Sequence, residues 1–94
     1  MAWTIILEGE DKNIISSLSN EFTIVSNSNL REFKLLQYLD PYGDTIFNHL
    51  QMNDLIQDLQ SLKLMENNLL INEVQLLAES CKNKPHTYLV FYGD

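Results

Sequence analysis

The sequence predicts an α+β domain: a mostly antiparallel sheet of four to five strands, two antiparallel helices packed on one face, and the C-terminal strand inserted in the sheet. Three observations predict it. Runs rich in branched and aromatic residues stand near both ends, at Trp3–Glu8 and Thr87–Tyr92. Between Met52 and Lys82 the apolar residues recur with a helical period. The stretch Tyr38–Leu50 places a turn, Asp40–Asp44, between strand-like runs and the start of a helix.

Taken in order, Trp3–Glu8 reads as a first strand that ends in the charged turn Glu8–Asn13 around Gly9. Asn13–Leu18 fits either a strand returning antiparallel to it or a short helix. Glu21–Val25 is β-prone, and the polar Ser26–Asn29 that follows competes for backbone hydrogen bonds and reads as a loop. Phe33–Asp40 alternates Phe33, Leu35, Gln37 and Leu39 against Lys34, Leu36, Tyr38 and Asp40. Both faces are largely apolar, so it reads as a central strand. Pro41 presets φ for a turn, Gly43 admits a positive φ, and Asp40 and Asp44 can bond the turn's backbone. Thr45–Asn48 then runs back as the hairpin partner of the preceding strand.

The first helix follows His49. Met52, Leu55, Ile56, Leu59 and Leu62 share one face, Asp54, Gln57, Asp58 and Ser61 lie largely opposite, and Asn53 or a neighbour caps the start. Glu66–Asn68 breaks the pattern. A second helix over about Leu69–Lys82 buries Leu70, Ile71, Val74, Leu77, Ala78 and Cys81 and shows Asn72, Glu73, Gln75 and Glu79 to water. Pro85 forbids its continuation. Thr87–Tyr92 is apolar on both sides and belongs inside the sheet, expected beside Phe33–Asp40. Tyr42-Gly43-Asp44 recurs as Tyr92-Gly93-Asp94, but the flanking residues differ and a true repeat needs several units.

At 94 residues the chain supports one core. A hydrophobic fraction of 45% with 20% charged residues describes a folded domain. Thirteen acidic against six basic residues give a net charge of -7. That field repels phosphates, which argues against a nucleic-acid or anionic-membrane partner and in favour of a basic protein. No apolar run approaches the roughly 20 residues of a membrane helix, and the start lacks the pattern of a secretory signal. Cys81 is the lone cysteine, so no internal disulfide forms and a cytoplasmic location is expected.

Asp40, Asp44 and His49 carry ligand types suited to divalent ions, but two aspartates around Pro-Tyr-Gly are also what a tight turn asks for, and metal-loop spacings are lacking. No metal or cofactor is therefore expected. Cys81 with His49 or His86 could form a nucleophile and base, yet Cys81 falls on an apolar helix face, where a thiol behaves as a small hydrophobe. No phosphate-binding glycine loop, nucleophile elbow or His-Glu-x-x-His string occurs, so a non-enzymatic role is expected. The acidic residues suit a docking surface: Asp54, Asp58 and Glu73 on the helices, with Asp44 and Tyr42 at the turn, are the candidate partner-binding residues. Trp3 and Tyr92, at strand ends, could add aromatic anchors or simply pack. The plainer reading of the charge is a solubilising face.

Leu39–Asn48, then Leu50-Gln51-Met52 opening a Leu-rich helix, and the closing Tyr88–Asp94 resemble a group of small uncharacterised acidic bacterial proteins, some of them similar to the immunity proteins that sit beside secreted toxins. The resemblance covers Leu39–Asp94 and implies a cytoplasmic binder that neutralises a toxin by covering its active surface. The alternatives are a homodimer joined through a free edge strand, and a small metal- or ligand-binding protein.

Overall fold

The computed structural model describes residues 2–24, 30–66 and 68–93. An antiparallel sheet is built from β1 (Ala2–Gly9), β2 (Ile14–Ser17), β3 (Phe22–Thr23), β4 (Asp44–Asn48) and β5 (Thr87–Gly93). The order is β2-β1-β5-β4, and β3 follows β2 along the same side of β1. Asn13–Leu18, open between strand and helix, is thus a strand. The loop expected at Ser26–Asn29 lies outside the described residues, as do Val25 and Asp94.

Alternation in β1 sends Trp3, Ile5 and Leu7 into the core, fully buried, and turns Thr4 and Ile6 the other way. Phe47 of β4 and Leu89 and Phe91 of β5 join the same face, with Phe47 and Phe91 in edge-to-face contact at 5.7 Å. Two helices, α1 (Met52–Met65) and α2 (Leu70–Lys82), cover it as a hairpin. Met52, Leu55, Leu59 and Leu62 from α1 meet Ile71, Val74, Ala78 and Cys81 from α2, all fully buried. Leu70, expected inside, is half-buried.

Asn48, not Asn53, starts the first helix. Its side chain accepts from the amides of Leu50 and Gln51 while Gln51 Oε1 accepts from the Asn48 amide at 2.9 Å, a reciprocal cap on a 3-10 turn (His49–Gln51) that runs into α1.

The predicted central strand, Phe33–Asp40, does not form. A 3-10 turn (Leu30–Glu32), a bend and a second 3-10 turn (Leu36–Tyr38) replace it. The physical reason lies on α1. Asp58 is buried, and its carboxylate accepts from three successive amides, Lys34 at 3.2 Å, Leu35 at 2.6 Å and Leu36 at 3.1 Å. Three neighbouring N–H groups aimed at one anion are incompatible with a strand, whose amides alternate in direction. Phe33, Leu36 and Leu39, three residues apart, are buried by this path, and Leu30 packs against them.

With that strand gone, β4 has no hairpin partner before it and pairs with β5 instead, from Asp44↔Tyr92 to Asn48↔Tyr88. β5 therefore lies between β1 and β4, in the sheet as expected but beside different neighbours. The corner at Asp40–Gly43 closes on this sheet end: Trp3 Nε1 donates to Asp40 O at 3.0 Å, and the Gly93 amide donates to Gly43 O at 2.9 Å. Trp3 is thereby core and not a surface anchor. The φ of Gly43 is not positive. Glycine matters more at Gly93, where a Cβ would lie 2.5 Å from Asp40 O and 2.7 Å from Gly43 O. Tyr42-Gly43-Asp44 and Tyr92-Gly93 are thus neighbours in space, Asp44 pairing with Tyr92 and Gly93 bonding Gly43.

Candidate functional site

The helices leave one face of the sheet open. Its outward residues form a grid fixed by strand register: Thr4, Tyr92 and Asp44 in one row, Ile6, Val90 and Ile46 in the next, Glu8, Tyr88 and Asn48 in the third. An apolar middle row is thus flanked by two rows carrying tyrosines and acids. A groove of about 210 Å³ opens over it, lined by Glu8, Glu10, Lys12, Ile46, Tyr88 and Val90. Ile46 is 59% exposed, while Val90 is buried in the floor.

Glu8 is the unusual residue, a carboxylate only 7% exposed on a face without helices. Its Oε2 accepts from the Tyr92 hydroxyl. Register sets Glu8 against Tyr88, so Tyr92 reaches it by leaning along the strand across the middle row. The hydrogen bond to Glu8 is the main cause that pushes the Tyr92 phenol up to about 12, with burial and the negative charges of Glu8 and Asp44 adding to it. The rim is shaped by two tight turns with left-handed residues, Lys12 (φ 61) and His86 (φ 66), and His86 Nδ1 meets Glu10 Oε1 at 3.1 Å.

The residues proposed from sequence are scattered. Asp58 is inside, holding backbone, because α1 turns it toward the 34–36 segment; it offers nothing to a partner. Asp54 pairs with Lys34 at 3.3 Å, and Glu73 accepts from Ser19 Oγ at 3.4 Å at the other side of the helical layer. Tyr42 stands 86% exposed at the corner, and Asp44 is exposed on the open sheet face. Of the five, Asp44 alone belongs to the grid, with Tyr42 close by in the chain. Glu8, Ile46, Tyr88 and Val90 were not singled out. Their signal was the alternation of Thr4, Ile6 and Glu8 against that of Tyr88, Val90 and Tyr92, which becomes a surface only once β1 and β5 are known to pair.

The chemical candidates separate in the same way. Cys81 is fully buried; its Sγ donates to Thr87 O at 3.5 Å, and burial pushes the thiol up, away from the nucleophilic thiolate. Asp40 spends its carboxylate on the Tyr42 amide at 2.9 Å. Among the described residues no three His, Cys, Asp or Glu side chains are grouped to hold a metal ion. Among the described residues no helix is long and apolar enough to cross a membrane. No family model, curated protein or solved structure matches this chain.

Proposed function

We propose that the chain is a non-enzymatic protein-binding module whose helix-free sheet face receives a basic protein. The mode is that of the immunity proteins which Leu39–Asp94 resembles: occlusion of a toxin's working surface. The observation that carries the reading is the groove over Ile46 and Val90, with Glu8 set into its wall, Glu10 in its lining and Asp44 in the next row of the same sheet face. Such a surface suits a lysine or arginine of the partner, the aliphatic stem on Ile46 and Tyr88 and the charged head at Glu8. The net charge of -7 adds a long-range field that speeds encounter with a cation-rich surface. Tyr42 supplies an exposed aromatic at the corner that leads into β4.

Recognition fits this groove better than proton transfer. Tyr92 stays protonated until about 12, so near neutrality the Glu8–Tyr92 pair is a fixed dipole and not a proton shuttle. A cytoplasmic setting belongs to the same proposal, with the lone thiol of Cys81 kept reduced and buried.

The test uses the partner captured from the native host and then purified. Its association rate is measured at low and moderate salt with the wild-type chain, with the double variant Glu10→Lys and Asp44→Lys, and with Asp54→Lys on the helical side. The open-face variant should slow association about tenfold at low salt and flatten the salt dependence, while Asp54→Lys changes it less than about twofold. The reverse ranking moves the docking surface to the helices and ends the proposal.

A further inference from the structure

We infer that the groove on the open sheet face is a pocket for one lysine side chain, which it takes in preference to arginine. This deepens the reading of that face as the receiver of a basic protein and rests on it; what it adds is the identity of the side chain that enters.

Glu8 is a carboxylate only 7% exposed, and buried charges are ordinarily paired with an opposite charge or surrounded by several donors. Glu8 has a single neutral donor, the Tyr92 hydroxyl on Oε2. Among the described residues no Lys, Arg or His lies within ion-pair distance of it, and Oε1 accepts no hydrogen bond yet is not sealed from solvent. Holding the Tyr92 hydroxyl requires only a neutral amide such as glutamine. A buried carboxylate with one oxygen left over is half of an ion pair, and the groove it lines is where the other half enters.

Size and charge narrow the occupant. Pockets for whole small molecules run to roughly 300–1,000 Å³, and this one is about 210 Å³, room for a single long side chain. Of its lining residues Glu8 and Glu10 are negative and Lys12 positive, which leaves one negative charge for one cation. Lys12 does not supply that cation: it is exposed, in the turn closed by its amide on Gly9 O, and pairs with neither acid. Ile46 and Glu8 lie two strands and one row apart, about 12 Å between Cα positions at ordinary sheet spacings. An unbranched apolar stem that enters over Ile46 crosses Val90 and Tyr88 before its head meets Glu8.

Tyr92 decides between the two basic side chains. A guanidinium binds a carboxylate best through two parallel bonds, one to each oxygen, whereas an ammonium is served by one. With Oε2 held by Tyr92, Glu8 offers a single oxygen, and an arginine fork must first displace the phenol.

The probes are n-butylammonium and n-propylguanidinium, the lysine and arginine side chains without their backbone, titrated into the isotope-labelled full chain by NMR. n-Butylammonium should shift Ile46, Tyr88 and Val90 with a dissociation constant on the order of 1–10 mM, at least about threefold tighter than n-propylguanidinium. That comparison needs no variant. Glu8→Gln should weaken n-butylammonium at least about fivefold. Tyr92→Phe frees Oε2 and should erase the preference by tightening the guanidinium. A wild-type chain that binds both heads equally, a preference that survives Tyr92→Phe, or n-butylammonium binding indifferent to Glu8→Gln overturns the inference. Equal binding of the two heads removes the lysine preference and leaves the docking face standing; a docking face on the helices is read separately, from the association rates of the charge variants.

Discussion

Replacing Asp58 by alanine removes the carboxylate that gathers the amides of residues 34–36. Its two oxygens accept from three amides at 3.2, 2.6 and 3.1 Å, within a residue that is 8% exposed. A hydrogen bond to a charged group contributes about 1.5–3 kcal/mol, so independent bonds would total about 4.5–9 kcal/mol. They are not independent: two share Oδ2, and Lys34 lies where water can replace the acceptor. A loss of about 3–5 kcal/mol is expected, a large part of the roughly 5–14 kcal/mol available to a domain of this length. Urea unfolding followed by far-ultraviolet circular dichroism measures it, and the melting temperature should fall by on the order of 20 °C. Asp58→Asn retains one acceptor oxygen and should lose about half as much. Asp54→Ala breaks only an exposed ion pair and should lose less than about 1 kcal/mol. If Asp58→Ala moves the urea midpoint no further than Asp54→Ala, the carboxylate does not hold that segment and the account of the missing strand is wrong.

Two further outcomes follow from the sheet. Gly93→Ala drives a methyl against backbone atoms of Asp40, Pro41 and Gly43 that cannot swing aside, so unfolding should come about 1–3 kcal/mol sooner; a neutral result means the corner yields. Tyr92 is one of four tyrosines, and a near-ultraviolet titration should show one phenolate appearing late, near pH 12, that Tyr92→Phe abolishes and Glu8→Gln brings forward. Folding raises this phenol from its ordinary 10, so its contribution to stability is whole below pH 10 and is lost as pH climbs through about 12. Four tyrosines titrating together would contradict the hydrogen bond.

Local period read most of the elements correctly, because one face of each is buried against a single layer. It failed where a residue's surroundings come from elsewhere in the chain. Leu30, Phe33, Leu36 and Leu39 recur every third position, the mark of 3-10 turns, but Leu35 filled the gap and the run passed for a two-faced strand. Asp58 sits three residues after Leu55 and four before Leu62, inside the apolar stripe of α1, so its inward direction was visible on a helical projection. What it would bind was not, since the three amides belong to a segment without periodic signal. The open-face grid depended on the register between β1 and β5, two runs at opposite ends of the chain, and nothing local to either run specifies that pairing.

The place of β5 between β1 and β4 also governs how the molecule is born. On the ribosome β1 can find β2 and β3 early, but β4 emerges with an empty flank and must wait while both helices are synthesised before the strand that fills it appears. Closure of the sheet is thus a late, long-range event, slow in the way that non-local pairing is slow. Until it happens the nascent chain carries two unfilled strand edges, the period in which a chaperone or a neighbouring chain has its opening.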